Sequence, residues 1–405
     1  MTPDMRIAVL IDFYPPENRG GAGIVAQRLN RHFANEGHEI LVIATTSGEA
    51  ATEATDEAEV VRLSLDYPER FRNYRGIQNP PALPLVGEQL QRFHPDIVHA
   101  HNVHHHLSFG ALVVADELGF PVVLTSHDYL MVCCGRLTCA TGPTDLKPRQ
   151  LHCLAQQRFR YNPLRRSRIR RLVNRHVGRV LAISDIMQRT LALNGFHYLE
   201  TVHNGIDPFA WPANEPAASD AGSPLVVLPA RLSAEKGTEA LLDAVALLPE
   251  SDRPRILFAG DNPRYQPALE AYAARRGLGD RVEISGWVDQ ARMVEIFRSA
   301  DIVVTPSTYP DPFNLGNIEA MASSRPVIAS AFGGGPEIVR DGETGYVVDP
   351  NDTPLFVRCL AALLGDPDLR TAMGVAGRRR VLERFTLARQ AEAVMAAYER
   401  AIAGR

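Results

Sequence analysis

The densest group of side chains that could do chemistry lies at 307–322, Ser-Thr-Tyr-Pro-Asp-Pro-Phe-Asn-Leu-Gly-Asn-Ile-Glu-Ala-Met-Ala. Seven residues separate its two acids, Asp311 before a predicted helix and Glu319 two or three turns inside it. A carboxylate among apolar neighbours needs partners such as sugar hydroxyls, and free amides at the start of the helix, Phe313–Gly316, could hold a phosphate or the polar edge of a sugar. The alternative makes Asp311 an N-terminal cap and Glu319 a solvated residue.

Two cations bracket a second loop at 230–237, Ala-Arg-Leu-Ser-Ala-Glu-Lys-Gly. Arg231 and Lys236 could converge on one anion, the first as a fork and the second as a point charge. The dipole of the helix that follows would add to their charge. A P-loop is excluded because there is no glycine five residues before Lys236. A solvated surface loop is the alternative.

A third loop is rich in glycine. Gly21-Ala-Gly23-Ile-Val-Ala26 matches a dinucleotide-binding pattern, but Gly21 lies ten residues beyond the preceding strand, which ends at Ile11. The acidic residue expected after the next strand is absent from the sequence. We interpret the loop as a place where backbone approaches a ligand; a helix-start turn that needs small residues is the alternative.

Alternating apolar runs and helices must position these loops. The predicted strands are Arg6–Ile11, Glu39–Ala44, Ile97–Ala100, Val122–Thr125, Arg179–Ile183, Leu225–Ala230, Arg255–Ala259, Val282–Ser285, Ile302–Thr305 and Pro326–Ala329. A polar, proline-rich connector at 211–224 interrupts the pattern. We therefore predict an α/β protein with two Rossmann-like, doubly wound parallel sheets, at 1–205 and 206–385. The sheets are expected to face a central cleft, and 386–405 to form a helix that crosses back to the first domain.

Composition limits the function classes. The chain has 405 residues, 45% of them hydrophobic, and a net charge of −4, which argues against a general nucleic-acid binder. No apolar run approaches the roughly 18 residues that span a bilayer, and the first residues carry an acid where a signal peptide carries cations. Five cysteines argue against a disulfide framework. We expect a cytoplasmic protein.

Taken in order, these segments resemble the retaining, nucleotide-sugar-dependent glycosyltransferases of family 4, which have the GT-B fold. The resemblance covers nearly the whole chain and is strongest from Leu225 to Pro350. There it rests on 230–237, Phe-Ala-Gly-Asp at 258–261, Ser-Gly-Trp-Val at 285–288, Ala-Asp-Ile-Val-Val-Thr-Pro-Ser at 300–307, the Asp-x7-Glu segment and Gly-Gly-Gly-Pro-Glu-Ile-Val-Arg-Asp-Gly-Glu-Thr-Gly at 333–345. The first half adds the glycine loop, Thr125-Ser-His-Asp128, Ala182-Ile-Ser184 and His203-Asn-Gly-Ile-Asp207.

The resemblance implies a donor site for a nucleoside diphosphate sugar. Arg231 and Lys236 would clamp the diphosphate and stabilise charge on the leaving nucleotide. Glu319 would bind the ribose, and the backbone of Trp287 and Val288 would face the base. The amides that would hold the sugar and the diphosphate are those of Phe313, Asn314, Leu315 and Gly316.

The resemblance also implies the reaction. Gly20 and Gly21 would close on the phosphates, and His127 would lie beside the transferred sugar and the acceptor. Asp311 joins His127, Arg231 and Lys236 as the predicted catalytic residues. Attack on the front face, assisted by the departing phosphate, would retain the anomeric configuration. No metal or cofactor is expected, because the helix dipole and two cations would do the work of Mg²⁺.

Two positions depart from the family pattern. Asp311 stands where the family usually has Glu, and Asn314 where it usually has Gly. Because Asn tolerates positive φ, the turn is expected to survive, although its side chain could instead contact the sugar. Two alternatives to an active transferase therefore stay open: a degenerate partner that binds sugar nucleotide, and a sugar-nucleotide epimerase of the same fold. The acceptor could be a small molecule, a glycan or a lipid-linked intermediate of polysaccharide, glycolipid or natural-product biosynthesis.

Cysteines and histidines form two further clusters. The spacing of Cys133, Cys134, Cys139 and Cys153 is not a standard zinc pattern, and ordinary buried thiols are the interpretation, with metal or redox use as the alternative. His99 and His101 alternate at a strand end and should face one side, with His104–His106 nearby. We interpret these histidines as the polar edge of a cleft, with a metal site as the alternative.

Nine arginines and no acid lie between Arg158 and Arg179. With interspersed apolar residues, this segment could meet anionic lipid headgroups and hold the protein peripherally at the inner membrane face. The other interpretation is a solvated helix docked on its apolar face. An anionic acceptor or nucleic acid are the remaining alternatives for this segment.

Overall fold

The computed structural model of the chain describes residues 4–17, 20–65, 69–135, 137, 145–157, 160–213 and 223–404. Most of the predicted connector at 211–224, the thiol of Cys139 and the first of the nine arginines, Arg158, lie outside the described residues.

The elements are named here in chain order. The strands are β1 Arg6–Leu10, β2 Glu39–Thr46, β3 Ala51–Ala54, β4 Glu59–Ser64, β5 Ile97–Ala100, β6 Val122–Ser126, β7 Arg179–Ala182, β8 Leu199–Thr201, β9 Leu225–Pro229, β10 Arg255–Ala259, β11 Val282–Ile284, β12 Ile302–Thr305, β13 Val327–Ser330 and β14 Gly345–Val348. The α-helices are α1 Gly21–Asn35, α2 Arg72–Arg75, α3 Ala82–Phe93, α4 Gly110–Glu117, α5 Gln150–Gln157, α6 Arg165–His176, α7 Asp185–Leu193, α8 Thr238–Ala246, α9 Gln266–Arg275, α10 Gln290–Ser299, α11 Leu315–Ala322, α12 Gly335–Ile338, α13 Thr353–Gly365, α14 Pro367–Arg384 and α15 Leu387–Ala403.

The chain divides into two compact units. The first combines most of the chain up to Gly205 with the segment from Leu387 on, and the second runs from Ile206 to Thr386. Each is built on a sheet whose central strands are mostly apolar and almost continuously buried, as expected where helices cover both faces. The predicted α/β class with two doubly wound parallel sheets is confirmed.

In the first unit the described strands lie in the order β3-β4-β2-β1-β5-β6-β7-β8. All neighbours are parallel except β3 and β4. The order reverses between β1 and β5, which are parallel neighbours, so the loops after these two strands begin at the same edge of the sheet. Helix α15 supplies Val394, Tyr398 and Ala401 to the core of this unit, where they share a cluster with Phe33 of α1. The last helix is thus part of the first unit.

In the second unit the described strands lie in the order β11-β10-β9-β12-β13-β14, all parallel. The order reverses between β9 and β12. Open sheets of this kind bind ligands outside the carboxyl ends of the strands at such a reversal, because the two loops diverge there and leave a crevice. Arg231 and Lys236 follow β9, and Asp311 follows β12.

Helix α6 carries most of the arginine-rich segment. Ile169 and Val173 are fully buried in the first unit, whereas Arg168, Arg171 and Arg175 are exposed. The apolar face of α6 is therefore occupied by protein, as in the docked-helix interpretation, and the exposed face is cationic. None of the described helices has both the length and the apolar character that crossing a bilayer requires.

Candidate functional site

The loops after β9 and β12 are held together in the second unit. The amide of Thr308 donates to the carbonyl of Glu235 at 2.9 Å. Gly237 allows this approach: its φ is +76°, and a Cβ built on it would lie 1.9 Å from the carbonyl oxygen of Pro306. No other residue could occupy the position without displacing the second loop. Gly237 is thus the point at which the first loop meets the second.

Lys236 and Asp311 form an ion pair across these two loops. The Nζ of Lys236 lies 2.7 Å from Oδ2 of Asp311, and both side chains are largely buried, 21% and 13% exposed. Lys236 also donates to the hydroxyl of Tyr309 at 3.1 Å. Burial favours the neutral amine, but the charge of Asp311 and the two hydrogen bonds outweigh it and raise the pKa of Lys236 above its usual value. The lysine is therefore a fixed cation at the crevice.

Asp311 is anchored through both its backbone and its side chain. Its carbonyl accepts from the amide of Gly334 at 2.8 Å. Its Oδ2 receives two donors besides Lys236, the hydroxyl of Ser307 at 3.4 Å and the side-chain amide of Asn314 at 3.3 Å. The alternative in which Asp311 caps the helix is wrong, because Asn314 holds that position.

Asn314 begins α11 as its N-cap. Its Oδ1 accepts from the amide of Gly316 at 3.0 Å, and its φ is −82°. The expectation that Asn314 is tolerated through positive φ is therefore wrong: the turn needs no left-handed residue, and the side chain serves as the cap. The expectation that all the amides at the helix start are free is also wrong, since that of Gly316 is already bonded.

Glu319 lies nearer to the helix start than predicted. It is the fifth residue of α11 and so lies in the second turn, because the helix begins at Leu315. Ile318 and Met321 are fully buried, as expected of its apolar neighbours, while Glu319 itself is half-buried. Helix α11 is tied to the sheet by Thr305, whose hydroxyl donates to Oδ1 of Asn317 at 2.6 Å.

The remaining donor-site residues of the second unit are more open. Arg231 is exposed, and within the described part of the chain no acid forms an ion pair with it. It does not share the Lys236–Asp311 contact, and the convergence of Arg231 and Lys236 on one anion stays a prediction. Trp287 is 46% exposed and Val288 half-buried, after the end of β11. Phe313 is buried, with its ring 5.9 Å from that of Phe385.

In the first unit, His127 belongs to a buried array of side chains at the ends of β5 and β6. His101 Nδ1 lies 2.8 Å from His127 Nε2, and these two rings stack with centroids 5.1 Å apart. The rings of His99 and His101 are 4.2 Å apart, so these two histidines do face one side, as predicted. Both are 1% exposed, and their interpretation as the polar edge of a cleft is wrong.

Helix α15 contributes to this array through Tyr398. Its hydroxyl lies 2.7 Å from His99 Nδ1, and His99 Nε2 lies 2.7 Å from the hydroxyl of Thr125. A neutral His99 with its proton on Nε2 satisfies both bonds, with the Tyr398 hydroxyl donating and Thr125 accepting. Among the described residues, His101 Nε2 has no hydrogen-bond partner.

The histidines of the array are neutral. Burial lowers the pKa of His99 to about 3, helped by the nearby His127. Burial lowers the pKa of His127 to about 4, although Asp128 acts in the opposite direction. Burial and the two neighbouring histidines likewise hold the pKa of His101 well below its usual value. In the His101–His127 hydrogen bond one ring donates and the other accepts, so at least the accepting imidazole must be neutral.

Asp12 is a site residue that the sequence analysis missed. It lies two residues after the end of β1, is fully buried, and accepts from the amides of His105 at 2.6 Å and Leu107 at 2.8 Å. Burial raises its pKa to about 7, even though these backbone hydrogen bonds favour the carboxylate. Asp12 fixes the loop after β5 against the loop after β1. A lone acid at a strand end was the available signal, but its partners lie more than 90 residues away.

The glycine loop leads into α1. Gly20 is the N-cap residue, with φ −88°, and Gly21 is the first residue of the helix. Neither residue has a left-handed backbone, so backbone conformation does not explain why both are glycine. The predicted approach to a phosphate stays a prediction.

Two family profiles together match most of the chain. The profile described as Glycosyltransferase Family 4 matches residues 19–208, and the one described as Glycosyl transferases group 1 matches 211–380. The chain belongs to the group 1 glycosyltransferases. The resemblance inferred from the motifs is thereby confirmed.

Curated relatives in this family include sugar transferases. The chain is 33% identical to alpha-maltose-1-phosphate synthase of Mycolicibacterium smegmatis, over 55% of its own length and 62% of the relative. It is 28% identical to the MMP alpha-(1->4)-mannosyltransferase of Mycolicibacterium hassiacum, over 98% of its own length and 99% of the relative. The chain thus spans less than two thirds of the first of these relatives.

Solved structures share the fold of this family member. Sucrose-phosphate synthase from Thermosynechococcus elongatus superimposes with a TM-score of 0.80 at 21% identity, covering 99% of this chain and all of that one. HepE of Anabaena, in complex with UDP-glucose, gives a TM-score of 0.71 at 21% identity, covering 97% and 98%. Likeness at this identity establishes the GT-B fold.

Proposed function

We propose that this chain transfers a sugar from a nucleoside diphosphate sugar to an acceptor hydroxyl, with retention of the anomeric configuration. The observation that carries the proposal is the Lys236–Asp311 pair, a 2.7 Å contact at the strand-order reversal of the second sheet. A fixed cation in such a crevice suits a leaving group that is a diphosphate, because its charge must be stabilised as the glycosidic bond breaks.

The donor would lie along the second unit. Lys236 would meet the diphosphate as a point charge, and the exposed Arg231 would swing onto it as a fork. The carboxylate of Glu319, in the second turn of α11, would accept from the ribose hydroxyls. The exposed Trp287 and its neighbour Val288 would lie beside the base. The UDP-glucose complex of HepE supports a donor of this class.

The donor sugar would meet the start of α11. The amides of Phe313 and Leu315 would serve the sugar or the diphosphate, whereas that of Gly316 would first have to leave Asn314. The described side-chain hydrogen bonds of Asp311, from Lys236, Ser307 and Asn314, all go to Oδ2. Its Oδ1 would therefore be kept for a sugar hydroxyl. The shorter acid at this position would place that oxygen differently from the family's Glu and thereby affect the choice of donor.

His127 would act on the acceptor side of the reaction. A neutral imidazole whose Nε2 is bonded to His101 leaves Nδ1 to contact a sugar or acceptor hydroxyl. The departing phosphate would take the acceptor proton, so the chain itself need not supply a strong base. Gly20 and Gly21 would approach the phosphates from the start of α1.

Positively charged residues at the donor site and on α6 give two further expectations. Arg231 and Lys236 would supply the positive charge that Mg²⁺ supplies in other transferases, so we expect turnover to persist in a chelator. The exposed arginines of α6 would attract anionic headgroups by charge alone, because the apolar face of that helix is packed against protein. A peripheral contact of this kind would suit a lipid-linked acceptor.

Product analysis tests the function. The chain is incubated with UDP-, GDP-, dTDP- and ADP-sugars and a panel of polyol, glycan and lipid-linked acceptors, and the products are analysed by mass spectrometry and proton NMR. Transfer of one sugar with the donor's anomeric configuration, unchanged by EDTA, is the expected result. Isomerised donor without any acceptor product would indicate an epimerase, and nucleotide-sugar binding without any reaction would indicate a degenerate partner.

A further inference from the structure

Two cysteine thiols meet inside the first unit, outside the residues assigned to donor or acceptor. Cys133 lies six residues after His127, and Cys153 lies in the middle of α5. The two sulfur atoms are 3.6 Å apart, and the residues are 3% and 4% exposed. Neither cysteine is part of a disulfide in this structure. The contact joins the chain just after His127 to a helix that starts 17 residues farther along than Cys133.

Hydrogen-bonded backbone holds both sulfurs in place. The amide of Cys133 donates to the carbonyl of Tyr129 at 2.8 Å, and that of Cys153 to the carbonyl of Arg149 at 2.9 Å. A disulfide needs its sulfurs at about 2.05 Å. The remaining distance of roughly 1.5 Å is within reach of small rotations about the side-chain bonds of two such residues. The pair is thus poised for a bond without a change of fold.

A buried cation lies close enough to Cys133 to interact with its charge. Arg165 at the start of α6 is 6% exposed and donates through Nη1 to the carbonyl of Leu130, while its Nε has no partner among the described residues. Burial lowers the pKa of Arg165 to about 10, and the ionised thiols of Cys134 and Cys133 would act in the opposite direction. The thiolate is the form of cysteine that reacts with oxidants.

We propose that Cys133 and Cys153 are a modification site at which a reversible intramolecular disulfide forms. One thiolate attacks a peroxide oxygen, which breaks the O–O bond and gives a sulfenic acid and hydroxide. The second thiolate then attacks that sulfur, forms the S–S bond and expels hydroxide, and the two hydroxides take up the two thiol protons as water. The thiols lose two electrons and the peroxide gains them. A thiol reductant reverses the bond by exchange through a mixed disulfide.

The other cysteines make matched controls. Cys134 adjoins Cys133 in the chain but is only partly buried, and Cys359 is a buried thiol of the second unit. Trypsin releases Cys133 and Cys134 together in 93–136, Cys139 in 137–149 and Cys153 in 150–158. The cross-linked peptides therefore show directly which thiols have paired.

The experiment uses the whole chain, reduced and then exposed to hydrogen peroxide. Free thiols are blocked with N-ethylmaleimide and the tryptic peptides are analysed by mass spectrometry. We expect two of the five thiols to escape alkylation, the peptides 93–136 and 150–158 to be joined, and dithiothreitol to restore both thiols. The joined species should be lighter than the two reduced peptides together by about 2 Da, the two hydrogens lost. Because the sulfurs are buried, glutathione disulfide should react more slowly than peroxide.

Variants show which of the two cysteines in the peptide 93–136 forms the disulfide. Cys133→Ser should abolish the cross-link, whereas Cys134→Ser and Cys359→Ser should leave it in place. The proposal is overturned if Cys153 stays fully alkylated after peroxide, or if it pairs with Cys134 or Cys139. It is equally overturned if the purified chain carries zinc that Cys133→Ser releases, because the thiols are then metal ligands. The wild-type cross-link map does not depend on the folding of any variant.

Discussion

Oδ2 of Asp311 lies 2.7 Å from Nζ of Lys236, although the two residues are 75 positions apart in the chain. The pairing follows from the sheet, because the loops that carry these residues leave the carboxyl ends of the neighbouring parallel strands β9 and β12. The acid serves to hold the cation, and the cation stays charged at every physiological pH.

Lys236→Ala should weaken binding of the nucleotide sugar. A hydrogen bond to a charged group is worth about 1.5–3 kcal/mol, so the dissociation constant should rise by about 10- to 150-fold. Isothermal titration calorimetry with the preferred nucleotide measures it. Arg255→Ala is the matched control, since Arg255 begins β10 at the opposite end of the same sheet. Equal affinities for the Lys236→Ala variant and the native chain would contradict a role in binding the diphosphate.

Asp311→Asn should destabilise the second unit and lower turnover. The substitution keeps the shape of the side chain but leaves Lys236 without its counter-ion, at a cost of about 1–3 kcal/mol. Thermal unfolding and donor turnover measure the two effects. Asp311→Glu is the more specific test: in a transferase it should change turnover or donor preference, whereas in a non-catalytic partner it should change nothing.

Asn314→Ala should cost about 1 kcal/mol of stability, because the helix loses its N-cap hydrogen bond. Asn314→Gly, which restores the residue usual in the family, should cost only a few tenths of a kcal/mol. Chemical denaturation compares the two variants. If both unfold at the same denaturant concentration as the native chain, the Asn314–Gly316 bond has no part in stability.

Stability should fall as the pH falls from about 6.5 to 4. The pKa values of His99, His101, His105 and His127 are lowered by burial, so each histidine takes up a proton on unfolding. Asp12 has a raised pKa of about 7 and acts with the opposite sign, since it releases a proton on unfolding. The net uptake near pH 5 is about three protons, which makes unfolding easier in acid.

Unfolding free energies measured in denaturant across this pH range test that prediction. His127→Asn should reduce the slope by about one proton, because it removes one of the four histidines. Exposed His197→Asn is the control and should leave the slope unchanged. A stability that is flat between pH 6.5 and 5 would mean that the array is already protonated or open to solvent.

Local sequence pattern predicted most of the described strands, but it missed β3, β4, β8 and β14. Strands such as β1 and β12 are continuous apolar runs, so their buried positions follow from composition. Strand β3 is exposed throughout, and β8 is short and polar, so neither carries a periodic signal. The same limit applies to the site: the sequence indicated Lys236 and Asp311 separately, but their pairing requires knowledge that β9 and β12 are neighbours.

The most direct test of the donor site is thermal unfolding of the chain with UDP-, GDP-, dTDP- and ADP-sugars, repeated with Arg231→Ala and with Arg255→Ala. Since Arg231 is exposed, its replacement should change the stability of the free protein by no more than about 0.5 kcal/mol. A ligand at 100 times its dissociation constant should add about 2.7 kcal/mol. We predict stabilisation by the sugars of one nucleotide, kept in Arg255→Ala and lost in Arg231→Ala. Stabilisation by none of the panel, or by one that survives Arg231→Ala undiminished, would contradict it.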